Sequence, residues 1–285
     1  MIHGFTGAIS EAFTHAEKLN KSLNNIRIVT GKSVNEMKDF TREANRAAKA
    51  LSTSTTEYTN ASLIYYQQGL SEKDVKARTD ITIKAANAAG VATEEMADYL
   101  TAVWNSYGVA GNELEKYVDV MAAVGAATAT SLEEISTSME KVASVGSAVG
   151  IEFEQMSAVI ATVSSVTRQS AESIGTSYKT IFARMGDLKL GKTDEDGVGL
   201  GQVSTQLKQV GVDILDETGN LRDMGVVLDE LMSKWEGMNK ATQQAVAIAV
   251  AGKRNYTNLL ALMNNQDMYR STLGTAEGAE GALDQ

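Results

Sequence analysis

The chain has 285 residues, of which 43% are hydrophobic but only 6% aromatic, and a formal net charge of −10 at pH 7. Cysteine and proline are both absent, which excludes disulfides, thiolate metal sites and a cysteine nucleophile and favours long helical tracts, since an interior proline costs ~3 kcal/mol. The acidic balance argues against a primary role on nucleic acid, whose phosphates call for clustered Lys and Arg.

Met1-Ile-His-Gly-Phe5 lacks the basic start and apolar core of a signal peptide. The segment through Asn24 has helical composition, with Phe5, Ile9, Phe13 and Leu19 as apolar points. Gly31 interrupts it, and Ser33-Val-Asn-Glu36 has the form of a capping box that opens the next helix. From there Val34, Met37, Thr41, Ala44, Ala48 and Leu51 make a heptad-like seam, weak as a coiled coil because its residues are small. Ser52-Thr-Ser-Thr-Thr56 predicts a break, because such side chains compete for backbone hydrogen bonds. A further helix follows through Leu63 to Gln68.

A short phrase then recurs: Gly or Ala, a small or aliphatic residue, and an acidic cluster closed by an aliphatic residue. It begins at Gly69, Gly90, Gly108, Ala129 and Gly150, at intervals of 21, 18, 21 and 21 residues. Glycine suits the left-handed cap that closes a helix, and the acidic residues suit the positive end of the next one. A helix of about four turns fits each interval. The spacing predicts a train of short antiparallel hairpins from Gly69 to about Leu188, with Gly69, Gly90, Gly108 and Gly150 as candidate hinges.

Met96, Tyr99, Leu100, Val103, Trp104 and Tyr107 form one apolar face, and Leu114, Tyr117, Val118, Met121 and Val124 the next. Ile174, Tyr178, Ile181, Phe182, Met185 and Leu188 form a third. These stripes are expected to be core. An offset of 39 residues pairs Met96 with Ile135, Leu100 with Met139, Val103 with Val142, Gly111 with Gly150 and Leu114 with Phe153, a degenerate hairpin repeat.

Five glycines, counting both ends, and the acidic triplet Asp194-Glu-Asp196 in the stretch from Gly186 to Gly201 predict an exposed loop. Val212 to Arg222 reads as a small β-hairpin with Gly219-Asn220 near its turn. A helix with Met224, Val227, Leu228, Leu231, Trp235 and Met238 on one side follows, then segments at Gln243–Ala251 and Tyr256–Asn265 and a polar tail. The expected fold is all-α with one β-hairpin insertion. Its segments are 1–70 (N-terminal helices), 71–188 (hairpin repeats), 189–222 (loop and β-hairpin) and 223–285 (C-terminal helices).

Gly186-Asp-Leu-Lys-Leu-Gly191-Lys192-Thr193 matches the phosphate-binding loop pattern letter for letter. That loop needs a strand entering and a helix N-terminus leaving, whereas a helical segment enters here and acidic Asp194-Glu-Asp-Gly197 leaves. A calcium loop through Asp194, Asp196 and Gly197 fails at Lys192 and Val203, where acidic ligands are required. His3 and His15 are the only histidines and build neither a triad nor a zinc site. The Glu pairs sit at helix starts, where capping explains them better than two-carboxylate hydrolysis. The sequence therefore predicts no catalytic residue, cofactor site or metal site, and no enzyme. No stretch approaches the ~20 apolar residues of a membrane span.

Several blocks resemble the core region of phage tail tape-measure proteins. They are Tyr65-Tyr-Gln-Gln-Gly-Leu-Ser71, Ala85-Ala-Asn-Ala-Ala-Gly90, Ser170-Ala-Glu-Ser-Ile-Gly175, Ile181-Phe-Ala-Arg-Met185 and Gly219-Asn-Leu-Arg222. The last is Ala251-Gly252-Lys-Arg254-Asn255-Tyr-Thr-Asn-Leu259-Leu260-Ala-Leu262, and it and the middle block, Ser170–Gly175 with Ile181–Met185, are the most specific. The resemblance implies a virion protein that forms homo-oligomers, fills the tail lumen or docks at the tail tip, and sets tail length. It implies assembly in the host cytoplasm, with the tail tube protein, assembly chaperones and the tail-tip hub as partners, and exit through the tube at genome ejection. Members of that family are usually much longer, so a fragment or an unusually short relative is expected. The alternative from another class is an all-helical secreted or surface factor engaging membranes or a host receptor, with Ala245–Ala251 as its apolar candidate. A P-loop ATPase or wall hydrolase stands third.

Overall fold

The computed structural model describes residues 2–108, 113–186 and 201–284, with side chains from Phe13 to Leu283. Thirteen α-helices and one 3-10 turn, and no strand, occur among the described residues. The chain is all-α. It divides into two compact units, residues 1–98 with 110–114, and residues 99–109 with 115–285.

The first unit holds α1 (Ile2–Thr30), α2 (Val34–Ala50), α3 (Thr55–Gln67), α4 (Glu72–Ala89) and the start of α5 (Thr93–Tyr107). The capping box opens α2 as expected: Ser33 Oγ accepts from the Glu36 amide, and the Glu36 carboxylate accepts from the Ser33 amide at 2.8 Å. The predicted break falls at Ser52, which takes a left-handed φ of 54° before Ser54 caps α3. Helix α3 lies against α1, α2 and α4 and buries Tyr58, Ala61, Tyr65 and Tyr66. The Tyr65 hydroxyl meets Thr82 of α4 at 2.6 Å, and Tyr58 donates to Asp80 at 2.8 Å. Those bonds satisfy polar groups that burial would otherwise penalise. Gly90 ends α4 with a left-handed φ of 74°.

The second unit continues with α6 (Leu114–Ala127), α7 (Leu132–Ala148), α8 (Phe153–Thr167) and α9 (Ala171–Gly186). After the undescribed stretch come α10 (Gly201–Gln209), α11 (Met224–Trp235), α12 (Lys240–Met263), α13 (Gln266–Glu277) and a 3-10 turn at Ala282–Asp284. Acidic residues occupy the first turns of α4 through α9, where the helix dipole favours them. Helix α8 is the axis of this unit. It is buried from Phe153 to Ser164 except at Glu154 and touches α7, α9, α12 and α13.

Small residues let these helices close up. A side chain at Gly175 of α9 would lie 2.5 Å from the Ser138 carbonyl of α7, and Ser138 Oγ donates to the Ala171 carbonyl at 2.8 Å. The most extensive pairing is accordingly α7 with α9, one helix removed along the chain. The offset-39 pairs described on both sides (Met96 and Ile135, Leu100 and Met139, Val103 and Val142, Leu114 and Phe153) are all buried; Gly111 lies outside the described residues.

The expected β-hairpin is not formed. Val212–Arg222 keeps one antiparallel bridge, Leu215 to Leu221, around a turn closed by the Asp216 carboxylate. That carboxylate accepts from the Thr218 hydroxyl at 2.7 Å and from the amides of Asn220 and Thr218 at 2.8 and 2.9 Å, and these bonds, the hydroxyl's foremost, hold its pKa below the usual carboxylate range. The turn consumes Asp216 to Asn220, and α11 begins at Met224, so only Leu221 to Asp223 remain on the second arm for a ladder. Most of the predicted Gly186–Gly201 loop lies outside the described residues.

Candidate functional site

Helix α9 buries Ile174, Tyr178, Ile181, Phe182 and Met185, and among them the side chain of Arg184, only 6% exposed. Its partner is a fault in α12. Gly252 adopts φ 74° and ψ 165° inside that helix, a conformation essentially restricted to glycine. The fault kinks the helix just after the turn that carries the Ala249 and Val250 carbonyls. Arg184 Nη2 donates to the Ala249 carbonyl at 2.9 Å, and its Nε to the Val250 carbonyl at 3.2 Å. A guanidinium fits both roles, because its fork presents parallel donors and its charge suits a helix C-terminal end.

One and a half turns beyond the fault, Asn258 is also buried, at 4% exposure. Its amide nitrogen donates to Ser177 Oγ at 2.9 Å, its amide oxygen accepts from Gln169 at 2.8 Å, and its backbone carbonyl accepts from the Tyr178 hydroxyl at 2.9 Å. Burial pushes the Tyr178 phenol well above its ordinary pKa, so it stays a donor. Arg184 and Asn258 thus fasten α9 to α12 on both sides of Gly252.

Two lesser joints stabilise the same unit. Asp229 of α11 accepts from Gln155 of α8 at 3.1 Å and from the Tyr269 hydroxyl of α13 at 3.4 Å. Burial raises its pKa, against those hydrogen bonds and the nearby Arg270 charge. Asp119 of α6, 6% exposed, accepts from the amides of Gly281 and Leu283 at 3.0 and 2.8 Å and so anchors the C-terminal turn.

The candidate hinges are dispersed. Gly69, Gly90, Gly108 and Gly150 all have φ between 67° and 76°. The first three have open space where a side chain would stand, whereas Gly150 is crowded by Asp223, with the Val149 carbonyl also bonded to the Met224 amide at 2.8 Å. Of the family-like signature, Gly252, Leu259 and Leu262 are buried, Asn255 and Leu260 are half-buried and Arg254 is exposed. The sequence gives no sign that Arg184, in the Ile181–Met185 block, reaches the Ala249 and Val250 carbonyls just before the Ala251–Leu262 block. Sequence reasoning also missed Asn258, whose signal is a lone amide in the apolar run Tyr256 to Leu262.

Among the described residues no group of three or more His, Asp or Glu side chains is arranged to hold a metal, and no helix is long and apolar enough to cross a membrane. Ala245–Ala251 lies within α12, with Val246, Ala247, Val250 and Ala251 buried. Gly186 ends helix α9, not a strand; Lys192, Thr193, Asp194 and Asp196 lie outside the described residues.

No solved structure matches this fold. The family of phage-related minor tail proteins matches residues 41–252, from the second turn of α2 to the fault at Gly252. That match spans well over half of the chain, and the protein belongs to the phage-related minor tail protein family.

Proposed function

We propose that this chain is the helical core of a tail tape-measure protein, a structural component that lies in the tail lumen or at the tail tip and sets tail length during assembly. The observation that supports this reading is that α9 and α12, the helices that carry the two most tape-measure-like blocks, pack on each other and are fastened by Arg184 and Asn258, in a chain that matches a phage tail family. In this reading the chain works by shape and by contact, with no reaction. Its partners are other copies of itself, the tube protein, assembly chaperones and the tail-tip hub. It assembles in the host cytoplasm and leaves through the tube at genome ejection. Gly69, Gly90 and Gly108 act as hinges when helices must open to enter a narrow lumen, since left-handed glycines with open surroundings swing without a steric barrier. Gly150 hinges only once Asp223 has moved.

Protease protection tests the placement. In purified particles the protein should resist protease while the tail is intact, and should leave the particle after ejection is triggered in vitro. Digestion in intact particles, or retention in emptied ones, would refute an interior position.

A further inference from the structure

We propose that the groove between α1 and α2 is a docking site for an acidic amphipathic helix of a partner protein. The two helices are joined by the three-residue turn 31–33 and both pack on α3, leaving an open groove of about 900 Å³ between them. Its floor is apolar, with Leu23 from α1 and Val34 and Met37 from α2. Val34 is 58% exposed, although it begins the seam whose later members Ala44 and Ala48 turn inward and are buried. That seam therefore divides, its inner residues packing within the unit and its outer edge facing the groove.

Charge identifies the occupant. Arg27, Lys38 and Arg42 line the groove and no carboxylate does, in a chain whose net charge is −10. Arg42 is paired with Asp39 of its own helix. Arg27 and Lys38 make no ion pair among the described residues, whereas Lys32 in the intervening turn is already held by Glu72 at 2.9 Å. The groove is thus a local reversal of sign, with two free cations flanking an apolar floor. Such a surface selects an acidic partner and discourages a like one. The lining of α2 from Val34 to Asn45 runs for about three turns at ~1.5 Å per residue, the length over which a helix presents anchors at i, i+3 or i+4, and i+7. Three cations around an apolar floor, with no aromatic side chain in the lining, are a poor match for nucleic acid, which needs a continuous basic track or stacking platforms. The inference does not depend on the tape-measure reading.

The test uses the full chain and two designed helical peptides with the same leucine stripe, one flanked by Glu and one by Lys, followed by fluorescence anisotropy. The Glu peptide should bind and weaken with salt. An Arg27→Glu/Lys38→Glu variant, with parental circular dichroism, should bind it roughly tenfold more weakly or worse and should gain affinity for the Lys peptide. Val34→Asp should weaken binding of the Glu peptide. Binding of neither peptide, or equal binding of both to the parent, would overturn the proposal. So would sedimentation showing self-association that Val34→Asp abolishes, because the occupant would then be a second copy.

Discussion

Arg184 of α9 donates to the Val250 carbonyl of α12 at 3.2 Å, two residues before Gly252 departs from helical geometry. The bond braces α12 at its kink, so the arginine and the glycine sit in one joint. Replacing Arg184 with Ala should cost about 2–4 kcal/mol in urea unfolding, from buried carbonyls left unsatisfied and a cavity. Arg184→Lys should recover less than half of that, because an ammonium lacks the fork. Full recovery by lysine would show that charge alone matters.

Glycine substitutions should rank by environment. Gly90→Ala meets open space and only the left-handed penalty, about 1 kcal/mol. Gly150→Ala adds a collision with Asp223 and should exceed it. Gly252→Ala, at ψ 165°, should cost about 1–3 kcal/mol. Thermal unfolding of the three variants gives the order directly; Gly90→Ala as the most damaging would contradict it.

Much of the helical register was legible because it is written locally. Ser33 and Glu36, the acidic pairs at Glu94 and Glu133, and the glycines at 69, 90, 108 and 150 act within a few residues of where they stand. The lock was not legible, since Arg184 and Val250 are far apart in sequence and an arginine in a sequence carries no sign of which carbonyls it will meet. The preference of α7 for α9 was hidden for the same reason: it depends on Gly175 facing Ser138. The β-hairpin failed on a local detail, a turn that takes up Asp216 to Asn220 and leaves only Leu221 to Asp223 before α11 begins.

Asp229 should give the unfolding of this protein a distinctive pH term. Its pKa is raised in the fold, chiefly by burial, so between the unfolded and folded values the native chain binds more protons. Its contribution to stability therefore falls as pH rises through that window. Asp229→Asn removes the titration. The variant should compare most favourably with the parent near neutrality, and the comparison should turn against it on acidification toward the ordinary carboxylate range. A stability difference constant with pH would contradict this.

Asp119 holds the amides of Gly281 and Leu283. Asp119→Ala should cost about 1–2 kcal/mol and should speed hydrogen exchange at those two amides well beyond the change elsewhere. Unchanged protection there would mean that packing alone holds the C-terminal turn.

Tail length measured in electron micrographs bears most directly on the tape-measure role. When the gene is disrupted in the producing phage or prophage, particles should lack tails or carry tails of widely scattered length, and the intact copy supplied in trans should restore one length. Tails of parental number and uniform parental length in the disrupted strain would contradict the role.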